Sequence, residues 1–278
     1  MKFIAYLELM RLNSLYGALF GFFPCIFGFI NSNQLHNQFF DSKYFSLFLV
    51  LTFLGRTFGC VVNDIVDSDL DSKVQRTQFR PLASGVISKL EAIQILGFLG
   101  FLMLIVLSYF NTRVIFVSLI YGILTFIYPF MKRITYMPQI FLGIVINCGA
   151  LLVPLQIKGQ ISVNDFLIYL GCLCWTISYD TFYGFCDLED DSKHQIKSLS
   201  RKLKSHLYVL YIINYAALVF LLCGKNRPND LLTVISTILY IILVYWQVKF
   251  FDFKIKNDGM IRFKFNIFIG MLICLILS

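Results

Sequence analysis

The sequence predicts an all-α integral membrane protein, and three observations carry that prediction. The 278 residues are 58% hydrophobic and 14% charged, with a mean hydropathy of +0.74, whereas ordinary soluble chains carry about 25% charged residues. Apolar runs close to the roughly 20 residues that cross a bilayer recur along the chain. Lysine and arginine crowd into alternate connecting segments, which is the charge asymmetry of membrane topology.

The runs place nine spans at 14–30, 44–62, 91–109, 113–131, 135–156, 162–183, 206–223, 230–248 and 261–277. With the N-terminus in the cytoplasm, the inside segments are 1–13, 63–90, 131–135, 184–205 and 249–264, and they hold eighteen lysines and arginines. The outside segments hold five, Lys43, Arg113, Lys158, Lys225 and Arg227. The formal charge of +8 therefore reflects topology and excludes a nucleic-acid partner as its explanation. Glu8 and Arg11 precede the first run and no A-x-A-like site follows it, so an uncleaved first span is expected. With no Arg- and Ser-rich transit segment, a bacterial inner membrane is expected over a mitochondrial one. The eight cysteines lie in or beside the spans and read as buried thiols.

In chain order, residues 1–13 form an interfacial lead-in and residues 31–43 a polar outer loop. Span two closes on GRTFGCVVND, which puts Arg56 about two turns inside the membrane end. An intramembrane arginine either snorkels to the edge or serves a function. Directly after this span comes NDIVDSDLDSKVQRTQFRPL, residues 63–82. On a helix, Asn63, Asp67 and Asp71 fall at i, i+4 and i+8 and form one stripe. Arg76 and Arg80 follow at once, and Pro81 ends any helix at Arg80. Asn111 and Thr112 make a tight hairpin between spans three and four. YPFMKRITYMPQ then carries Lys132 and Arg133, and Pro138 begins or kinks span five.

A second acidic cluster follows span six. Asp180, Asp187 and Asp191 are expected on one helical face at i, i+7 and i+11, with Tyr183 between them and Lys193 and Lys197 after them. The off-stripe Asp64, Asp69, Glu189 and Asp190 read as supporting or solvated groups. Spans seven and eight are generic apolar helices. Span nine, with Asn266 and Gly270, suggests close helix packing.

Six or more carboxylates brought together would repel and raise one another's pKa values. Divalent cations remove that conflict and create a site for a polyanion. Magnesium takes oxygen ligands and typically binds one or two carboxylates together with a substrate's phosphates. Two magnesium ions bridged by pyrophosphate suit the two clusters, with Arg76, Arg80, Lys193 and Lys197 completing the clamp. A lipid pyrophosphate fits both the charged ends and the apolar spans, whereas a soluble nucleotide fits one of them.

The motifs resemble those of a known family. NDIVDSDLD matches the N-D-x-x-D-x-x-x-D motif of the intramembrane aromatic prenyltransferases, the UbiA superfamily, and RTQFRPLASG matches the stretch that follows it there. DTFYGFCDLEDDSKHQIKS resembles the second motif, and YPFMKRITYMPQIFLG looks like the corresponding segment of the 4-hydroxybenzoate polyprenyltransferase branch. The resemblance runs from Leu9 to Asn266. It implies a single domain over 1–278, folded as a bundle of about nine helices around a central cavity under a cytoplasmic cap. It also implies magnesium-dependent transfer of a polyprenyl group from polyprenyl pyrophosphate to the ring carbon ortho to the hydroxyl of 4-hydroxybenzoate, in ubiquinone biosynthesis. Carried over by position, Asn63, Asp67, Asp71, Asp187 and Asp191 serve the metals, with Asp180 close by. Arg76, Arg80, Lys193 and Lys197 bind pyrophosphate. Arg56, Arg133 and Tyr183 are candidates for the aromatic acceptor, the two arginines for its carboxylate or for orienting the aspartates.

Two departures stand out. The family's first span reads R-L-D-K/R-P-I-G, but here it is Arg11, Leu12, Asn13, Ser14, Leu15, Tyr16, Gly17, so contacts near that helix are expected to differ. His194 and Gln195 replace an apolar residue and a glycine after Lys193, which affects the local turn more than the ligands. A sister reading keeps the chemistry and changes the acceptor to haem or a naphthoate. From another class, the clusters could serve divalent-cation transport, against which stands the lack of carboxylates at mid-span.

Overall fold

The computed structural model describes residues 2–14, 16–32, 42–74, 77–188, 193, 197–255 and 257–278, apart from the side chain of Lys132. Among the described residues regular structure is helical and no strand occurs. Arg76, Glu189, Asp190, Asp191, His194 and Gln195, all named above, lie outside the described residues.

A short helix α1 (Lys2–Leu9) precedes α2 (Tyr16–Asn31) and the long α3 (Ser42–Asp71). Then come α4 (Lys89–Leu107), α5 (Thr112–Ile134), α6 (Pro138–Ile146), α7 (Gly149–Lys158) and α8 (Val163–Gly184). A 3-10 turn (Phe185–Asp187) leads on to α9 (Leu199–Leu203), α10 (Tyr208–Gly224), α11 (Leu231–Lys249) and α12 (Asp258–Leu277). Among the described residues six helical segments are long and apolar enough to cross a membrane: α3, α4, α5, α6 with α7, α11 and α12. Helices α2 and α10 are apolar but shorter. Phe98, Phe101, Phe116, Ile123 and Val219 all point outward, as the lipid-facing surface of an integral membrane protein requires.

Local chemistry sets the ends of these helices. Ser88 and Glu91 close a capping box at α4, and Asn111 caps α5. Glu91 Oε1 also accepts from Lys2 Nζ and from Tyr6 Oη, both at 2.9 Å, which pins the N-terminal lead-in to the start of α4. At the other end of the bundle the buried Asp165 accepts from Lys158 Nζ at 2.9 Å and from Asn31 Nδ2 at 3.2 Å.

Span five differs from the single helix expected. It begins at Pro138, where a missing N–H costs nothing, and divides at Asn147 and Cys148 into α6 and α7. Asn147 Nδ2 donates to Gly143 O and to Thr176 Oγ1, both at 2.8 Å, so the side chain satisfies groups on α6 and α8 at the break.

Helix α3 has 30 residues, about 45 Å at 1.5 Å per residue. A hydrocarbon core is about 30 Å thick, so α3 carries its acidic last turns beyond the apolar layer. The aromatic core beside it gathers Phe20, Phe23, Phe27, Trp175 and Tyr179 from α2 and α8. Trp175 Nε1 donates to Asn266 Oδ1 at 3.0 Å, and Asn266 Nδ2 donates to Gln247 Oε1 at 2.9 Å. Helix α12 approaches α2 closely, because a Cβ on Gly270 would lie 2.7 Å from the Phe23 ring.

Asn266→Leu leaves both Trp175 Nε1 and Gln247 Oε1 without this partner. It is expected to lower stability by about 1–2 kcal/mol, the scale of interhelical polar bonds in membranes. Thermal unfolding in detergent reads this as a lower Tm, and an unchanged Tm would show that the network is dispensable.

Candidate active site

One cavity of about 1150 Å³ runs through the bundle. Its wall follows α3 from Phe48 and Leu51 to Asp67 and Asp71, roughly 35 Å of helix. Cys25, Leu107, Leu152 and Ile146 make its apolar limb. Phe20 stacks on Tyr179 with ring centroids 4.3 Å apart, and Tyr183 meets Phe263 at 5.1 Å, giving an aromatic wall between the apolar limb and the acidic end.

The acidic end brings both clusters onto this cavity. Asn63, Asp67 and Asp71 line it from α3, as the i, i+4, i+8 spacing requires on a continuous helix. Asp180 and Asp187 line it from α8 and the turn beyond. The second stripe departs from the expectation of one helical face, because α8 stops at Gly184 and tightens into the 3-10 turn before Asp187. Such tightening is a common way to use the carbonyls left over at a helix C-terminus. Phe185 anchors the turn against Phe182 and Phe251.

Of the expected cations, Arg80 and Lys197 line the cavity, and Lys193 is exposed and off the described wall. Arg80 Nη1 lies 2.6 Å from Asp71 Oδ2 and 3.1 Å from Asp64 Oδ1. Lys197 Nζ donates to Ile134 O at 3.2 Å. The acceptor candidates separate. Arg56 and Tyr183 line the cavity, and Arg56 crosses toward α2, where a Cβ on Gly17 would overlap its guanidinium. Arg133 is off the described wall, donates to Val66 O at 3.1 Å and lies 3.7 Å from Asp67 Oδ1.

Asp64 shows what the sequence did not. It is 1% exposed rather than solvated, and Arg11 Nη2 donates to both its oxygens, at 2.8 and 2.9 Å. Arg11, Asp64, Arg80 and Asp71 thus form a continuous chain of ion pairs along the acidic wall. Arg11 holds this place at φ 55°, a left-handed conformation costing a non-glycine residue about 1–3 kcal/mol. The available signal was its position, at the start of the first span on the same side as the stripe. Asn13, Ser14 and Tyr16, where the first span departs from the motif, also line the cavity, as does Gly17, which keeps it.

The donor set suits magnesium. Carboxylate and amide oxygens are the ligands it takes, and it keeps places for water and phosphate. Among the described residues no three acidic, histidine or cysteine side chains form a closed metal cage. Asn63, Asp67 and Asp71 stand on one element and Asp187 on another, an arrangement that a bridging polyanion and water would complete.

The comparisons with known proteins agree with this geometry. The family model for the UbiA prenyltransferase family matches residues 21–272. The chain belongs to that family. It is 30% identical over 281 residues to the 4-hydroxybenzoate octaprenyltransferase of Shewanella denitrificans, covering 100% of this chain and 94% of that one. The apo UbiA homolog from Aeropyrum pernix K1 superposes with a TM-score of 0.73 at 21% identity, covering 91% of this chain and 94% of that one. A UbiA homolog from Archaeoglobus fulgidus, bound to GPP and Mg2+, superposes with a TM-score of 0.69 at 15% identity, over 99% and 100% of the two chains. These two likenesses show the UbiA fold.

The ion-pair chain has a measurable consequence. Asp64→Asn leaves Arg11 and Arg80 facing each other across a lost charge. The expected cost is about 2 kcal/mol, below the 3–5 kcal/mol of fully buried pairs because both arginines reach water. Unfolding in detergent should show Asp64→Asn with Arg11→Met costing less than the sum of the single variants, and strict additivity would break the chain.

Proposed function

We propose that this chain transfers a polyprenyl group from polyprenyl pyrophosphate to the ring carbon ortho to the hydroxyl of 4-hydroxybenzoate, with magnesium as its metal, in ubiquinone biosynthesis. One observation carries the reading: a single cavity joins two acidic clusters and an arginine to a long apolar limb. A pyrophosphate head and a polyprenyl tail call for that combination on one molecule. The named activity of the Shewanella denitrificans relative supports the acceptor, and the GPP and Mg2+ in the Archaeoglobus fulgidus homolog support the donor and metal. The same reading has nine spans in a bacterial inner membrane, with the acidic end under a cytoplasmic cap.

In this reading Asn63, Asp67, Asp71 and Asp187 hold the metals together with Asp191, and Asp180 stands beside them. Arg80 and Lys197 receive the pyrophosphate, with Arg76 and Lys193 assisting. Bound magnesium would neutralise charge that builds on the departing pyrophosphate. Arg80, already spanning Asp64 and Asp71, adds fixed positive charge at the same end. The bond between the prenyl C1 and its oxygen breaks, and the electron pair leaves with pyrophosphate. Phe20, Tyr179, Tyr183 and Phe263 offer π faces to the allylic cation. The ring carbon ortho to the hydroxyl supplies the electron pair of the new C–C bond, and loss of the proton on that carbon restores aromaticity. Arg56 receives the acceptor carboxylate, and Arg133 orients Asp67.

Membranes carrying the protein, given 4-hydroxybenzoate, a polyprenyl pyrophosphate and magnesium, should form prenylated hydroxybenzoate. Asp67→Ala and Asp187→Ala should each lower the rate at least 100-fold, and EDTA should abolish it. Pyrophosphate release without that product would move the acceptor to haem or a naphthoate. No turnover from folded protein would sink the enzyme reading.

The arginines give a second test. Arg56→Leu should raise KM for 4-hydroxybenzoate about tenfold or more, as loss of a charged hydrogen bond does, and leave KM for the prenyl donor within twofold. Arg133→Leu should instead lower kcat. The reverse pattern would exchange their roles.

A further inference from the structure

The charged side chains of the cavity answer to the metals, the pyrophosphate and the carboxylate. Several neutral polar side chains on the same wall have no such assignment, and two of them stand together. Gln139 opens α6 and Ser198 precedes α9, and both line the cavity. They are 4% and 7% exposed, and among the described residues neither Gln139 Oε1 nor Ser198 Oγ has a hydrogen-bond partner. Ser118 Oγ in α5 and Tyr179 Oη in the aromatic wall are unpaired there as well. Buried polar atoms are nearly always paired, so unpaired ones on a cavity wall point to a ligand that completes them.

Gln139 and Ser198 belong to one corner. Lys197, next to Ser198, bonds Ile134 O at the end of α5, a few residues before Gln139. From the other side, a Cβ on Gly184 would overlap Ser200 Oγ and lie 4.0 Å from Gln139 Nε2. Gly184 itself lines the cavity, three residues before Asp187. The corner therefore adjoins the second acidic cluster, where the reacting prenyl carbon must be held.

The chemistry of the pair selects its ligand. A carboxylate or pyrophosphate is met by guanidinium and ammonium groups, here Arg56, Arg80 and Lys197. An amide offers a donor and an acceptor, and a serine hydroxyl offers both on one atom. A group that matches such a pair is itself neutral and both donates and accepts, and a phenol hydroxyl does so. We infer that Gln139 and Ser198 form the hydrogen-bonding subsite for the hydroxyl of the aromatic acceptor. This rests on the reading proposed above. Held by its hydroxyl at this corner, the ring presents the carbon beside that hydroxyl to the prenyl cation, so the pair also sets the position of attack.

The test compares 4-hydroxybenzoate as substrate with benzoate, which lacks the hydroxyl, as competitive inhibitor. Gln139→Leu is expected to raise KM for 4-hydroxybenzoate about tenfold, the loss of one hydrogen bond to a buried partner. The inhibition constant of benzoate and KM for the prenyl donor should stay within twofold. Ser198→Ala, a smaller deletion, should move KM in the same direction and stands in if Gln139→Leu fails to fold. An unchanged KM for 4-hydroxybenzoate in folded variants overturns the inference. So does an equal rise for 4-hydroxybenzoate and benzoate, which marks a general disturbance of the cavity. If the wild-type protein does not prenylate 4-hydroxybenzoate at all, the function proposed above fails first and takes the subsite with it.

Discussion

The structure depends most on how it compensates a carboxylate that no water reaches. Asp64 lies beside the Asn63–Asp67–Asp71 stripe on the same acidic wall, buried where α3 packs against the start of the chain. Its two oxygens take Arg11 from before α2 and Arg80 from after α3, which ties three separate segments to one point. An unpaired charge there would be strongly destabilising. The left-handed backbone of Arg11 is sustained by the same pairing, because the guanidinium also donates to Glu8 O at 2.8 Å and has little freedom left.

The second constraint is length. An apolar helix that merely crossed a bilayer would leave its polar continuation to a loop. Helix α3 instead remains helical through Asp71, so the register that packs Phe48 into the core is the register that presents Asn63, Asp67 and Asp71 to the cavity. Apolar limb and acidic end are therefore rigidly related. In the proposed reaction that relation places a tail in the apolar limb and its pyrophosphate among the carboxylates without any moving part.

What the sequence made legible follows from local periodicity. The stripe on α3 was readable because its residues share one helix, and Pro138 because proline has a fixed place at helix starts. The partners of Asp64 were not readable, since they lie 53 and 16 residues away and no local pattern connects them. The end of span six near 183 was readable, but the 3-10 turn after Gly184 was missed for a related reason. The spacing of Asp180 and Asp187 fits a continuous helix, and the aromatic contacts of Phe185 that favour the 3-10 turn come from Phe251, far along the chain. Arg56 and Arg133 looked equivalent as arginines near span ends. Their surroundings separate them, one against α2 inside the cavity and the other braced on the backbone of α3.

The distribution of charge within the cavity bears on how a cation could be made there and survive. Charge interactions strengthen as water is excluded, which in the proposed reaction helps a departing pyrophosphate at a wall of arginines and carboxylates. The same exclusion would be ruinous if water or a stray carboxylate reached the prenyl carbon from the apolar side. Among the described residues the carboxylates on the cavity, Asp64, Asp67, Asp71, Asp180 and Asp187, all lie at one end of it. Phe20, Tyr179, Tyr183 and Phe263 stand between that end and the apolar limb. A cation formed at this boundary meets polarisable rings rather than carboxylates on its tail side. The acceptor ring, held by its own polar groups, is then the nucleophile within reach.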